Sequence, residues 1–447
     1  MKLVNHLLIA AALFTANHLS AQYVPDPAFA NDFAGRTGHS NSNLANPAGA
    51  GFMQAPKCIV HSGSFVYVAG KTVDDQFIYG GYILNKKNAT TGTNNIMIKL
   101  NYGLLTTGVV NSDDIHVYSM TPNSATDRLY VTGRTSVTDK GIILCFKMST
   151  LQLETGFNTT GILLMETGSA VFDLVLKDAF SVMTVRNISS EIRVSEISIA
   201  GVATGVTLTL TGTGKTYKST RIKSYPGLAN RYFITGSCKD NTSGVVSPAI
   251  WGVDYVPGGH GGSSMALRCE NAMQLSTEGP GEFLDLCFPY NSNTLKYDIV
   301  CVGKTNAVSI AGSGIFIKYK GSTTTGLVFN LAIDNTFKNQ TTLPGTGYAS
   351  NISDPTNMTV FSGCEVIGTQ IAVSGSHKVG SGDPHDAQVG FISLTGAYTS
   401  AYIAPHSTNP LYTGNVVHYP GRLCTNAQNE IFVVGCDYGL TAFKLKP

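Results

Sequence analysis

A short apolar segment that ends in glycine recurs along this 447-residue chain. The copies are FVYVAG ending at Gly70, LYVTG at Gly133, YFITG at Gly236, IVCVG at Gly303, IAVSG at Gly375 and IFVVG at Gly435. The interval between 133 and 236 is about twice the others, and FSVMTVRN lies halfway along it with Val185 at the glycine position. Seven copies, each 51 to 72 residues after the one before it, indicate an internal repeat of one supersecondary unit.

Each copy is flanked by further runs of strand length. The preceding runs are 58–60, 116–120, 172–176, 221–225, 283–288, 365–368 and 421–425. The third runs are 96–100, 141–147, 192–198, 249–255, 314–320, 389–394 and 440–445. The fourth runs are 104–110, 153–164, 205–210, 264–269, 325–333 and 397–403. Their Val, Ile, Tyr and Phe content and their Gly, Asn, Ser and Pro boundaries predict β-strands.

Four strands in each of seven units predict an all-β fold, a seven-bladed β-propeller with four-stranded antiparallel blades. The seventh unit lacks a fourth run before Pro447, whereas PDPAFANDFAG (25–35) precedes the first unit and resembles ETGFNTTG (154–161). We therefore predict that the N-terminal segment supplies the outer strand of the last blade, which removes a free sheet edge. Residues 22–447 then form a single propeller domain.

The recurring glycine ends the second strand of each unit. We expect that strand to lie near the central channel, where a residue without Cβ tolerates the close approach of converging backbones. The alternative is that glycine only marks the end of each strand.

The V-A-G strand, the strand IMIKLN and the linker GFNTTG resemble a repeat of roughly sixty residues found in secreted bacterial propellers. That repeat typically reads V-A-G, then a strand with an aromatic residue or Lys-Leu, then a D-x-x-F-G linker. The resemblance spans nearly the whole chain after residue 21, although units one and two and DPAFANDFAG carry most of it. It implies a propeller fold and export, and such repeats are not tied to one activity.

The first 21 residues have the pattern of a secretory signal peptide. Lys2 gives a positive start, 7–16 is an apolar core too short to span a bilayer, and 19–21 ends in small residues. The junction between Ala21 and Gln22, where the signal would be removed, also resembles those of exported proteins of Bacteroidota. No later segment reaches the roughly 18 apolar residues of a membrane helix, so we predict export without a membrane span. The destination is the periplasm, the outer membrane or the cell exterior.

Charge gives little indication of a partner. The chain has 30 Lys and Arg against 28 Asp and Glu, and Lys2 would leave with the signal. This balance predicts neither a nucleic-acid nor a membrane-surface partner. Charged residues make up only 13% of the chain and glycine is abundant, which is typical of exported all-β proteins.

The nine cysteines form no C-x-x-C pair, so neither a zinc site nor a thioredoxin-like motif is predicted. Several lie inside apolar strands, where cysteine behaves as a small buried hydrophobe. Free buried thiols are the main expectation. The alternative is a disulfide across a hairpin, either Cys287 with Cys301 or Cys424 with Cys436.

The motifs of known propeller enzymes are missing from the sequence. It has no S-x-D-x-G-x-x-W box, and Trp251 is its single tryptophan. It also lacks the nucleotide-binding loop, H-E-x-x-H and G-x-S-x-G patterns. We therefore predict no cofactor, no metal and no catalytic residues, while leaving the enzyme question open.

Candidate binding residues lie in the longer connections. In a propeller, the second-to-third-strand loops and the blade-to-blade connections share one face, and function is often carried on loops. We assign Tyr79, Tyr348, Asp383 and His385 to a binding surface there. Asp383 and His385 belong to GSGDPHDAQ, whose other interpretation is an ordinary turn. Tyr348 lies in the long uncharged stretch 338–357. The alternative is that these loops simply tolerate variation.

The sequence thus favours an exported, non-enzymatic binding or scaffold module that holds a protein or glycan partner on its long-loop face. An accessory or plug subunit of an outer-membrane or secretion complex would be one such role, by analogy only. The alternative is a carbohydrate-active hydrolase or lyase with acidic residues at the channel mouth.

Overall fold

A computed structural model describes most of the chain after the predicted signal. The described residues are 23–29, 39–41, 56–71, 82–258, 262–272, 281–305, 313–320, 331–334, 336–337, 347–349, 358–378, 385–403, 421–437 and 439–447. The predicted signal peptide, 1–21, lies outside them.

The strands form seven antiparallel blades, which confirms the predicted propeller. Blades 1 to 3 comprise Pro56–Ser62, Phe65–Lys71, Tyr82–Asn88 and Asn94–Leu100; Ile115–Asn123, Arg128–Thr135, Lys140–Lys147 and Ile162–Thr167; and Ser169–Leu176, Ser181–Ile188, Glu191–Ser198 and Ala203–Leu210. Blades 4 and 5 comprise Lys215–Ser224, Arg231–Asp240, Val246–Val256 and Ser264–Ala272; and Gly281–Cys287, Ile299–Thr305, Ser313–Tyr319 and Gly347–Ala349. Blades 6 and 7 comprise Met358–Ile367, Gln370–Lys378, His385–Ser393 and Tyr398–Ile403; and Leu423–Thr425, Ile431–Asp437, Gly439–Lys446 and Val24–Pro25.

The remaining elements are short. Tyr290–Asn291 and Lys296–Tyr297 form a small hairpin between the first two strands of blade 5. The α-helix of the described residues, Tyr102–Thr107, precedes blade 2, and a 3-10 turn, Ser124–Thr126, joins its first two strands.

The N-terminal segment closes blade 7, as predicted. Val24 pairs with Lys446, and strand His39–Asn41 also pairs with the C-terminal strand. The buried Asp26 accepts charge-assisted hydrogen bonds from Lys444 at 2.9 Å and Lys446 at 3.0 Å. Burial by itself would raise the pKa of Asp26, but these two ammonium groups hold it below its ordinary value.

The first strand of every blade lies at the centre of the ring, where it contacts the first strands of the two neighbouring blades. Apolar clusters fill the spaces between blades. One of them joins Val302 and Phe316 of blade 5 to Phe361 and Val373 of blade 6. Burial of apolar side chains between neighbouring sheets is the main force that holds such blades together.

A β-bulge in the inner strand explains the recurring glycine. Gly133, Gly236 and Gly303 each pair with the residue just before a bulge. A Cβ on Gly236 would lie 1.8 Å from the Lys218 carbonyl oxygen, and one on Gly303 would lie 2.0 Å from the Glu282 carbonyl oxygen. The expected close approach is therefore real, but it is made with the neighbouring inner strand rather than at the channel itself.

Replacing Gly236 with alanine should test this contact. We expect the free energy of unfolding to fall by about 1–3 kcal/mol, because the added methyl group must displace a backbone carbonyl. Urea unfolding at neutral pH measures the change. Gly281→Ala is the control, since its nearest neighbour would be a Pro248 ring carbon at 3.1 Å. Equal losses in both variants would contradict the role of the bulge.

Two strand assignments in blade 1 were wrong. The run 96–100 belongs to the fourth strand, and the third strand is Tyr82–Asn88, whose polar sequence YILNKKN concealed it. The predicted fourth strand, 104–110, instead overlaps the helix Tyr102–Thr107. Asn101 caps this helix by accepting a hydrogen bond from the Leu104 amide at 3.1 Å, and Gly108 ends it at φ 76°.

Two further assignments need correction. In blade 3 the residue that precedes the bulge, Val171, pairs with Arg186, so Arg186 rather than Val185 occupies the glycine position. In blade 5 the fourth strand is Gly347–Ala349, whereas the predicted run 325–333 is described only at 331–333, where Ile333 bridges to Tyr319.

The strand register also contradicts both hairpin disulfides. Cys287 lies opposite Val300, so Cys301 is one position away and faces the other side of the sheet. Cys424 lies opposite Phe432, four residues from Cys436. At about 3.3 Å per strand residue, that separation exceeds the reach of a disulfide.

Candidate binding face and central channel

The loop face is the side of the ring that carries the second-to-third-strand loops and the blade-to-blade connections. Connection 101–114, between blades 1 and 2, meets loop 136–139 of blade 2 on this face. The buried Asp113 accepts hydrogen bonds from the Val137 amide at 2.7 Å and the Thr138 hydroxyl at 2.8 Å. The opposite side, with the first-to-second and third-to-fourth-strand turns, is called the hairpin face.

The binding role of the four predicted residues stays a prediction. Tyr79 and Asp383 lie outside the described residues. Tyr348 is in the outer strand of blade 5 and pairs with Ile315, near the loop-face end of its neighbour. His385 begins the third strand of blade 6, opposite Lys378, at the same face. The backbone therefore places Tyr348 and His385 in strands rather than in loops.

Connection 101–114 is braced from within. The Asn101 side chain accepts the Leu104 and Asn111 amides and donates to the Asn111 carbonyl at 2.7 Å and to Asp114 at 3.0 Å. The Asn111 side chain in turn accepts the Gly103 and Asp113 amides. A connection held by this many side-chain hydrogen bonds has little conformational freedom to lose on binding.

This braced connection and the loop beside it present aliphatic side chains to solvent. Val109 is 67% exposed, its sequence neighbour Val110 is 38% exposed, and Val137 is 62% exposed. We call Val109, Val110 and Val137 the valine platform. This surface was not identified from the sequence, because 104–110, which contains Val109 and Val110, was interpreted as a strand.

Exposed apolar residues also occur on the hairpin face. Phe180, which is 76% exposed, and Val202 lie on two turns of blade 3 that are joined by a hydrogen bond from the Ile199 amide to the Phe180 carbonyl. Leu295 is exposed in the blade 5 hairpin. These residues provide a comparison for any test of the loop face.

Charged side chains meet in the central channel. Three of them, Asp173, Arg221 and Asp285, directly follow the bulge of an inner strand. The others are Lys223 and Glu365 on inner strands and Arg422 just before the inner strand of blade 7. The sequence signal was present but unused, since each of these residues interrupts one of the apolar inner runs.

Two arginines connect these charged side chains across the ring by ion pairs and hydrogen bonds. Arg221 of blade 4 lies 3.2 Å from Asp173 of blade 3 and 3.3 Å from Asp285 of blade 5. It also donates to the Ser119 hydroxyl of blade 2 at 2.8 Å. Arg422 of blade 7 donates to the same hydroxyl at 2.8 Å and to the Thr220 carbonyl at 3.3 Å. At this level, side chains cross the channel.

The two buried carboxylates also join neighbouring blades. Asp173 accepts the Ile222 amide of the next blade at 2.9 Å, and Asp285 accepts the Cys364 amide of the next blade at 3.1 Å. Burial by itself would raise the pKa of Asp285, but Lys223, Arg221 and Arg422 hold it below its ordinary value. Asp285 is therefore an ionised structural group, not a proton donor.

Comparison with known proteins adds only a likeness of fold. No protein-family model and no curated protein matches the chain. Among solved structures, the Dos1 propeller is 10% identical and covers 95% of each chain, with a TM-score of 0.47. YCF48 from Cyanidioschyzon merolae is 11% identical, covering 91% of this chain and 99% of that one, with a TM-score of 0.47. At such identities the likeness carries no information about function.

The described residues contain neither a metal-binding cluster nor a membrane-spanning helix. Within the described ranges, no group of three or more His, Cys, Asp or Glu side chains is placed to hold a metal ion. In the same part of the chain, no helix has the length and apolar character to cross a membrane.

Proposed function

We propose that this protein is an exported, non-enzymatic binding or scaffold propeller that holds a protein partner on its loop face. The observation that carries the proposal is the valine platform. Its backbone is fixed by the Asn101, Asn111 and Asp113 hydrogen bonds, yet Val109 and Val137 remain more than half exposed. Apolar side chains held in water on a fixed backbone can be buried against a partner with little loss of conformational freedom.

The chemistry of the platform favours a protein over a glycan. Valine offers no hydrogen bond and no aromatic face, whereas polar sugars need placed polar groups for orientation and specificity. The core of a protein–protein interface, by contrast, is apolar and poor in charge. A glycan held elsewhere on the loop face is the other outcome that an experiment must distinguish.

The central channel supports a structural role instead of catalysis. Asp173 and Asp285 are occupied by Arg221 and by backbone amides of the neighbouring blades. A carbohydrate-active hydrolase or lyase needs two carboxyl groups that face the substrate, one of them able to donate a proton. The described residues offer no observation that favours this alternative.

Export is the part of the proposal that rests on sequence. Residues 1–21 have the pattern of a signal peptide, and the balance of charge suggests no nucleic-acid partner. The partner is then a protein of the cell envelope, and the propeller would be an accessory or plug subunit of an outer-membrane or secretion complex. This last step is an analogy with other propellers.

The test places charge on the platform. A tagged protein with Val109→Asp and Val137→Asp is compared with wild type for recovery of its partner from the native envelope in mild detergent. We expect the double variant to bind at least about tenfold more weakly, since each carboxylate would have to be desolvated at the interface. Both valines are exposed, so the fold should tolerate the change.

The matched control carries Phe180→Asp and Val202→Asp on the hairpin face. It should retain wild-type recovery. Loss of the partner only in the control would move the site to the hairpin face and overturn the proposal. Binding of envelope polysaccharide instead of a protein would also overturn it.

A further inference from the structure

Two cysteines from neighbouring blades lie together at the centre of the ring. Cys287 is the last residue of the inner strand of blade 5, and Cys364 lies in the inner strand of blade 6. Both are buried, and both belong to the apolar cluster that contains Phe361 and Val373 between these blades. In the structure both side chains are free thiols.

The direction of the side chains brings the two thiols towards each other. The Asp285 carboxylate of blade 5 reaches into blade 6 and accepts the Cys364 amide at 3.1 Å. Cys287 follows two residues later on the same strand, so its side chain leaves the sheet on the same side. The Cys287 side chain lies within hydrogen-bonding reach of Cys364. Burial, and then this neighbouring thiol, raise the pKa of the Cys364 thiol.

The position of the other nearby cysteine makes the pairing selective. Cys301 pairs in register with Leu286 and packs in the cluster between blades 4 and 5, on the other side of the blade 5 sheet. It therefore cannot compete for Cys287 without a change of register. Among the described cysteines, Cys364 is the one that shares an apolar cluster with Cys287.

We propose that Cys287 and Cys364 form a disulfide that links blades 5 and 6 when the chain folds in an oxidising compartment. This site rests on the proposed export, because such bonds persist outside the reducing cytosol. The structure then represents the reduced form.

The reaction is an exchange with a disulfide-bearing oxidant, such as a thiol oxidoreductase or oxidised glutathione. One cysteine thiolate attacks the oxidant disulfide and releases one of its sulfurs as a thiolate, leaving a mixed disulfide. The second cysteine thiolate then attacks the mixed disulfide and releases the other oxidant sulfur. The two protein thiols lose two protons and two electrons, and the oxidant gains them. Since both thiols are buried in the folded ring, exchange occurs before blades 5 and 6 pack together.

The experiment uses the full chain refolded in a defined glutathione redox buffer, so that its result does not depend on export. The product is denatured, alkylated with N-ethylmaleimide without reduction, digested and analysed by mass spectrometry. We expect a peptide pair linked through Cys287 and Cys364 and an alkylated Cys301. Reduction should also lower the melting temperature of wild type but not that of Cys364→Ser.

Alkylation of both Cys287 and Cys364 in folded, oxidised protein would overturn the inference, as would a linkage of either residue to another cysteine. If Cys364→Ser fails to fold, Cys287→Ala serves as the second variant. A linked peptide in the refolded chain and free thiols in protein recovered from cells would support the site while contradicting export.

Discussion

Phe29→Ala should lower the free energy of unfolding by about 3–5 kcal/mol, the usual loss for a fully buried phenylalanine. The Phe29 side chain has no solvent exposure and packs with Ile59 and Val66 of blade 1 and Phe432 of blade 7. Its ring lies edge-on to that of Phe432, with 5.9 Å between centroids. The N-terminal segment thus joins the first and last blades through this side chain. Urea unfolding of the purified chain after removal of the signal measures the loss.

Val24→Ala is the matched control for the same segment, because Val24 pairs with Lys446 but is 40% exposed. It should change the free energy of unfolding by less than about 0.5 kcal/mol. A similarly small loss for Phe29→Ala would show that the ring does not depend on closure by the N-terminal segment.

Asp285→Ala should produce a second large loss, about 3–5 kcal/mol, because it breaks a buried ion-pair network by removing one partner. Arg221 and Lys223 would both lose their contact with this carboxylate, and the Cys364 amide would lose its acceptor. Asp285→Asn keeps a side-chain acceptor for that amide, so it should cost less than Asp285→Ala. The half-buried pair of Glu191 and Arg193, 3.9 Å apart, provides the control, and Glu191→Gln should be nearly neutral.

The pH dependence gives an independent check on Asp285. Because neighbouring cations lower its pKa in the folded state, the unfolded chain binds this proton more readily. Wild type is therefore more stable than Asp285→Asn, and this difference has its full value well above pH 4, the ordinary range of an aspartate pKa. The difference shrinks as the pH falls below about 4. A difference between the two proteins that is independent of pH would contradict the assigned charge state.

The architecture could be predicted from the sequence because the repeated segment is the second strand of each blade, next to the inner strand. Gly70 and Gly133 mark the second strands of blades 1 and 2, and each pairs with the residue just before a bulge. At Gly133 the His116 carbonyl oxygen leaves no room for a Cβ. The outer part of the blades was harder to predict. The third strand of blade 1 buries Lys86 and Lys87, so its polar sequence gave no apolar pattern to detect.

The candidate site could not be read from the sequence in the same way. The valine platform depends on a helix of six residues whose cap, Asn101, is satisfied by residues ten and more positions later. The channel network depends on which inner strands face one another, and it joins Ser119 to Arg422 across 303 residues. Contacts of this range follow from ring closure, so the charged residues were visible in the inner runs but their partners were not.

The most direct test of the proposed function is site-specific photo-crosslinking in the native envelope. A photoreactive residue is placed at Val109 or Val137 on the loop face, or at Phe180 or Val202 on the hairpin face. The account predicts that Val109 and Val137 crosslink to the same envelope protein, while Phe180 and Val202 do not. Crosslinks only from the hairpin face would contradict a binding role for the loop face. The absence of crosslinks from both faces, in a protein that is recovered alone, would contradict it as well.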